Sequence, residues 1–322
     1  MTEISIFSQN RPAGFGHAVY LCVDAKFFPF ALFLANQIAT KYPGRRFDLC
    51  LISAEILPDH PLVKAHDIRL LRIDSTAWAS RLPSDDRISF AAYLRIMAPR
   101  LLAQDYERML YLDADIFYQR GDLNRLLALD LQNRPVGAVR DMIQLRQPDR
   151  RPADFAPFKV PFAKYFNSGV MVIDTALWNQ RQVTDRALDF AARNAPQLMA
   201  HDQTALNVML RGDWSELSLV WNFEYNHQTM YFAAMFDVCL FHFVGRRKPF
   251  TARYGGFPRR FTDEYRAFFS TAFPEMVKHL QDGLAVRSHT REHVQALLFH
   301  LVNFKRFLPN DDRFQSDWDV LL

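Results

Sequence analysis

Several short apolar runs in this chain stop abruptly at an aspartate, and that pattern limits the fold more than any other feature. Val19 to Val23 ends at Asp24, and Pro29-Phe30-Ala31-Leu32-Phe33-Leu34 follows as a helix with proline in its first turn. Phe47 to Ser53 and Ile68 to Ile73 read as further strands, Ser89 to Ala98 carries apolar residues at helical spacing, and Met109-Leu110-Tyr111-Leu112 runs into Asp113-Ala114-Asp115. Strands alternating with helices predict an α/β fold, a mostly parallel central sheet flanked by helices. In such sheets the ligand crevice lies beyond the carboxyl ends of the strands, where Asp24 and the Asp113/Asp115 pair fall.

Alternate side chains of an extended segment point the same way, so Asp113 and Asp115 face one crevice together. Two adjacent carboxylates repel unless a positive group lies between them. A hard divalent ion, Mg²⁺ or Mn²⁺, accepts oxygen ligands and leaves positions open for phosphate oxygens, which brings a nucleotide-diphosphate substrate within reach. The same segment read alone also fits a loop start with two solvated aspartates.

At 322 residues, 49% hydrophobic and 23% charged, the chain can bury a full core and has no disordered character. A net charge of +4 suits an anionic substrate or membrane surface but is too weak to imply nucleic acid. Cys22, Cys50 and Cys239 are widely spaced in apolar stretches, the pattern of buried reduced thiols. The amino terminus lacks a signal-peptide pattern and the longest apolar stretch, Phe27 to Ala35, is too short to span a bilayer. A cytoplasmic protein, soluble or peripheral on the inner face of the membrane, is expected.

Further along, Gly121-Asp122 introduces a short helix through Leu127, and strand Val136 to Val139 delivers Arg140 and Asp141 toward the same edge. Arg146 to Lys164, rich in proline and basic residues without a period, reads as a long loop and candidate lid. Tyr165-Phe166-Asn167-Ser168-Gly169 leads into strand Val170 to Ile173, closed by Asp174-Thr175 as a helix cap. His201-Asp202-Gln203 opens a helix through Leu210, with side chains expected to face outward, and Val238 to Phe243 is a last buried strand. Val294, Leu297, Leu298, Leu301 and Val302 form an amphipathic stripe followed by Lys305 and Arg306. Packing of that stripe against the main domain is expected, with docking on an acidic membrane as the alternative. The fifteen or so residues before the first strand carry no assignment.

Four blocks in this order resemble the family 8 retaining glycosyltransferases, which include glycogenin and bacterial lipopolysaccharide galactosyl- and glucosyltransferases. They are the turn at Asp24; Leu112-Asp113-Ala114-Asp115; Phe166-Asn167-Ser168-Gly169-Val170 with His201-Asp202-Gln203; and His242-x-x-Gly245-x-x-Lys248-Pro249-Phe250. The resemblance implies a GT-A (Rossmann-like) fold, a UDP-sugar donor, Mn²⁺ with Mg²⁺ as alternative, and hexose transfer to a glycan acceptor, lipopolysaccharide by analogy. It implies Asp113, Asp115 and His242 as metal ligands. Donor contacts fall on Asp24, Lys26, Arg95, Ala114, Asp141, Asn167, Ser168, Gly245 and Lys248, and reaction roles on Gln203, Asp202 and Lys248.

Lys26 stands where asparagine is often found beside the base, Phe250 replaces the usual tryptophan, and Ser168 replaces an alanine of some members. Residues 1–270 are expected to form the glycosyltransferase domain and 271–322 a helical segment associated with membrane or acceptor. Two rivals stand beside this reading: a non-catalytic nucleotide-sugar binder on the same fold, and a haloacid-dehalogenase-like phosphohydrolase. The second is disfavoured because Ile116-Phe117 follows Asp115 and no later acidic pair is evident.

Overall fold

The computed structural model describes residues 4–74, 78, 81–82, 90–250, 257–281, 290–311 and 313–322. Nine strands, β1 (Ser5–Ser8), β2 (His17–Cys22), β3 (Asp48–Ser53), β4 (Ile68–Asp74), β5 (Arg108–Leu112), β7 (Val136–Arg140), β8 (Phe166–Asp174), β9 (Ser215–Leu217) and β12 (Val320–Leu321), form one sheet in the order β1-β4-β3-β2-β5-β8-β7-β9-β12. Strands β2, β3, β4, β5, β7 and β9 run one way and β1, β8 and β12 the other, so the sheet is mostly parallel as expected. A second sheet sets β10 (Phe223–Glu224) beside β11 (Leu240–His242), which pairs antiparallel with β6 (Ile116–Tyr118).

Helices cover both faces: α1 (Phe28–Lys41), α2 (Pro61–Ala65), α3 (Ala91–Leu101), α4 (Leu123–Leu127), α5 (Met142–Arg146), α6 (Thr175–Gln180), α7 (Val183–Asn194), α8 (His201–Leu210), α9 (Arg259–Ala272), α10 (Pro274–Gln281) and α11 (Thr290–Asp311). Strand alternation divides the core. Leu110 and Leu112 of β5 face the layer of α1 and α9, while Met109 and Tyr111 face that of α3, α7 and α8. Many of the 29 phenylalanines fill the first layer, where Phe33 stacks on Tyr265 at 3.9 Å and Phe117 meets Phe261 edge-on at 5.0 Å. Those contacts fasten α1 and α9 onto the second sheet.

Several expectations are corrected by tertiary contacts. The helix expected from Ser89 is described from Ala91, Ser89 lying outside the described residues. Strand β8 begins at Phe166, so Asn167, Ser168 and Gly169 lie within it, with a register irregularity opposite Ala138/Val139. Strand β11 belongs to the small sheet and is followed by β12 at the edge of the large one. His201 and Asp202 turn inward, because the first turn of α8 rests over Arg95 rather than solvent.

The Arg146 to Lys164 stretch is tied down: Phe155 and Val160 are buried with Tyr165 and Val208, and Asp154 accepts hydrogen bonds from Tyr165 Oη and Thr204 Oγ1. Helix α11 rests on the protein through Ala296, Phe299 and Asn303, with Arg146 over the Phe299 ring. Its expected buried stripe faces the other way, Leu298, Leu301 and Val302 being 57%, 64% and 74% exposed. The unassigned amino-terminal residues add edge strand β1 to β4, and Asp48 accepts from the Gly14 backbone N–H and Arg11. Helix α9 continues past residue 270 to Ala272, and β12 pairs with β9.

Candidate active site

Strand β5 ends at Leu112, and the chain turns at once into β6, with Ile116 N donating to Asp113 O at 3.1 Å. This tight turn holds Asp113 and Asp115 at the carboxyl edge of the large sheet. The antiparallel register of β11 on β6 sets His242 opposite Ile116, and Phe243 N donates to Asp115 O at 3.2 Å. Imidazole Nε2 therefore comes within 3.5 Å of Asp113 Oδ2 and 3.2 Å of Asp115 Oδ1. Among the described residues these three are the group whose ligand atoms, all within 4.8 Å of one another, could hold a metal ion.

Their surroundings fit a cation. Asp115 Oδ1 is buried and makes no hydrogen bond, an arrangement that is costly unless a positive charge is supplied. Burial alone would raise the Asp115 carboxyl, yet the Lys248 ammonium beside it holds it well below the usual carboxylate range. Lys248 Nζ bonds both Asp115 Oδ2 and Phe243 O. Two hard carboxylate oxygens with one imidazole nitrogen suit Mn²⁺ or Mg²⁺ better than a soft metal.

Arg95 bridges the site to α8. Its Nη2 lies 3.0 Å from Asp113 Oδ1 and its Nε 3.1 Å from Asp202, while its guanidinium covers the Tyr111 ring at 4.5 Å. Tyr111 Oη also donates to Asp113 Oδ1 at 2.6 Å. Burial pushes the Asp202 carboxyl up, and Arg95 offsets part of that rise. Next to it, Gln203 Oε1 accepts from Ser168 N at 3.0 Å and Gln203 Nε2 donates to Tyr165 Oη at 3.3 Å, which fixes the direction of the amide.

Other expected residues occupy the same edge at greater remove. Asp24, at the end of neighbouring β2, accepts from Phe27 N at 2.9 Å where the chain enters α1, and Lys26 is exposed. Ala114 is half-buried between the two aspartates. Gly245 has φ +84°, a left-handed conformation that disfavours a side chain there. Asp141 caps α5 by accepting from Ile143 N at 2.9 Å, and burial raises its carboxyl. Asn167 Oδ1 accepts from Gly169 N at 2.9 Å.

Four neighbours were not anticipated. Gly169 leaves room for His242 and Asp113; Asn222 contacts His242; Tyr111 holds Asp113; buried Glu224 accepts from Met142 N at 2.9 Å beside Asp141. Gly169 stands in the Phe166 to Val170 block that carries the family resemblance, with no role of its own assigned to it there. Asn222 and Glu224 carried no periodic or motif signal.

Residues 18–252, from β2 through Pro249-Phe250, match the family model of glycosyl transferase family 8. The chain belongs to that family. Curated relatives of this family 8 chain include General stress protein A of Bacillus subtilis, 33% identical over 48% of this chain and 52% of the relative, and a lipopolysaccharide 1,2-glucosyltransferase of Escherichia coli K12, 29% identical over 52% of this chain and 51% of the relative. The chain thus spans about half the length of the curated relatives it matches. A galactosyltransferase, LgtC, solved with donor and acceptor sugar analogues, superposes with a TM-score of 0.61 at 18% identity, covering 86% of this chain and 99% of that one. That likeness shows the GT-A fold.

Proposed function

We propose that this family 8 chain is a retaining hexosyltransferase that moves glucose or galactose from a UDP-sugar to a glycan acceptor with Mn²⁺, or Mg²⁺, bound by Asp113, Asp115 and His242. The observation that carries the reading is the convergence of His242, from more than a hundred residues further along the chain, on the Asp113/Asp115 pair, with Lys248 bonded to Asp115. A divalent ion there would supply Lewis-acid stabilisation of negative charge on a departing diphosphate.

The chain's own residues do the rest. Lys248 offers a second positive group to the leaving phosphate, and its interaction grows as charge develops. Asp202 is ion-paired to Arg95, which lowers its nucleophilicity and suits it to holding sugar hydroxyls. Gln203 is a neutral amide with its oxygen already held by Ser168 N. With neither side chain suited to covalent catalysis, acceptor attack from the face the diphosphate leaves accounts for retention. Asp24, Lys26, Arg95, Ala114 and Gly245 are assigned to the nucleotide and diphosphate side of the donor, and Asp141, Asn167 and Ser168 to the sugar side.

Lipopolysaccharide is the proposed acceptor, by extension from the relative named a lipopolysaccharide 1,2-glucosyltransferase. No helix among the described residues is long and apolar enough to cross a membrane. We place the enzyme at the cytoplasmic face of an anionic membrane, with α11 as the contact. Its outward Val294, Leu297, Leu298, Leu301 and Val302 form an apolar row with exposed Arg291 and Lys305 at its two ends, complementary to acyl chains and anionic headgroups.

A thermal-shift screen of UDP-glucose and UDP-galactose with and without Mn²⁺, coupled to measurement of released UDP, tests the reading. The donor should stabilise the chain only with metal, by RT ln(1 + [L]/Kd), and release UDP on turnover. Metal-dependent stabilisation with no UDP release, even with acceptor glycan present, would identify a nucleotide-sugar binder instead. Absence of any stabilisation would overturn the proposal.

A further inference from the structure

Asn222 lies between the metal-site histidine and the backbone of β8. Its Nδ2 donates to Asn167 Oδ1 at 3.0 Å, and Asn167 Oδ1 also accepts from the Gly169 backbone N–H at 2.9 Å. A backbone N–H can only donate, so it fixes which end of the Asn167 amide faces inward. That choice fixes Asn222 in turn, whose Oδ1 is left 3.0 Å from His242 Nδ1. An amide oxygen there requires the proton to sit on Nδ1. With the Nδ1 proton held by Asn222, Nε2 is the ring nitrogen left to offer a lone pair to a cation, and it is the atom aimed between Asp113 and Asp115. Asn222, Asn167 and His242 are 2%, 8% and 5% exposed, so the relay is largely buried.

We infer that Asn222 is a positioning residue: it locks His242 with the proton on Nδ1 and so commits Nε2 to a divalent cation shared with the two aspartates. The inference rests on the metal site proposed above and adds the element that selects its ligand form. The need for such a lock is electrostatic. Were the proton on Nε2, it would satisfy Asp115 Oδ1 directly, and the site would be closed by its own hydrogen bond instead of remaining open to a cation.

The test uses the full chain and two substitutions. Free-Mn²⁺ electron paramagnetic resonance gives the affinity, ¹⁵N NMR of labelled histidine gives the His242 tautomer without metal, and thermal unfolding without metal monitors the fold. Asn222→Leu, similar in size but unable to accept, should weaken Mn²⁺ binding by about 10- to 100-fold and move the proton off Nδ1. Asn222→Asp keeps an acceptor for Nδ1–H but loses the donor to Asn167 Oδ1, so it should leave the proton on Nδ1 and cost clearly less Mn²⁺ affinity than the leucine variant.

Equal losses of affinity in both variants would mean a purely structural role and overturn the inference. So would wild-type affinity in Asn222→Leu, or a wild-type His242 with no proton on Nδ1. Wild-type chain that binds no Mn²⁺ while showing the Nδ1–H form would instead overturn the metal site and leave the tautomer lock established.

Discussion

Gly169 presses against His242 so closely that a Cβ added to it would meet the imidazole Cε1 at 2.3 Å and Nδ1 at 2.7 Å. Asp113 Oδ2 would lie 2.9 Å from the same atom. Strand β8 therefore passes behind the Asp113, Asp115 and His242 cluster with no space to spare, and any side chain there pushes two proposed ligands at once. Gly169→Ala is expected to destabilise the chain by about 1 to 3 kcal/mol through overpacking. It should also abolish Mn²⁺-dependent thermal stabilisation. Unfolding curves with and without Mn²⁺ check both, and an alanine variant with the wild-type response would show that the cluster is not held in place by β8.

Arg95 neutralises Asp113 and Asp202 together, at 3.0 and 3.1 Å. Arg95→Leu should cost about 3 to 5 kcal/mol, because it leaves the buried Asp202 carboxylate without its partner and takes a cation from half-buried Asp113. Arg95→Lys should recover only part of this, since one ammonium cannot reproduce a guanidinium that meets two acids through different nitrogens. Equal denaturant midpoints for the lysine variant and wild type would contradict the bridging role.

For Lys248→Ala the expected kinetic signature is a fall in kcat larger than the rise in donor KM, because the charge it offsets develops during bond cleavage. Asp115 also loses its nearest cation, so its carboxyl should move up toward the usual range. Steady-state kinetics across donor concentrations decide the matter. A change in KM alone would place Lys248 in ground-state binding.

Asp48 anchors the amino-terminal segment by accepting from Gly14 N, Arg11 and Tyr106 Oη, each at 2.8 Å. Burial pushes its carboxyl up, but these three donors outweigh burial and lower it. A depressed folded pKa means the stabilisation is present above the unfolded value of about 4 and is lost as pH falls through the folded one. Asp48→Asn should therefore lower stability by roughly 1.5 to 3 kcal/mol at pH 7, with a gap to wild type that narrows steadily below about pH 4. Melting temperatures across that pH range test the sign, and a gap that widens in acid would refute it.

Leu298→Glu with Leu301→Glu should reduce binding to anionic phosphatidylglycerol vesicles about tenfold or more while leaving the melting temperature unchanged, since both side chains already face outward. Vesicle co-sedimentation, with neutral phosphatidylcholine vesicles for comparison, reads the effect. Undiminished binding would remove α11 from the membrane contact.

How much could be read beforehand depended on the range of the interactions involved. Strands β2 to β5, the proline-led start of α1 and the Asp174 cap follow from runs and caps spanning a few residues, which local periodicity encodes. The inward turn of His201 and Asp202 did not follow, because it depends on Arg95 arriving from α3 to pair with Asp202. Nor did the outward face of α11: a helical stripe gives the apolar side but not the side that the rest of the chain covers, and Phe299, Ala296 and Asn303 supply that contact instead.

The sequence alone determined the α/β alternation, the acidic pair after β5, and the family to which residues 18–252 belong. Only the tertiary structure decided that His242 meets that pair across the β6–β11 register, that Gly169 leaves the space for it, and that Asn222 faces its far nitrogen. The reason is physical: a motif records which chemical groups are available, whereas the distance between groups more than a hundred residues apart is set by strand pairing and close packing. Those are properties of the whole folded chain.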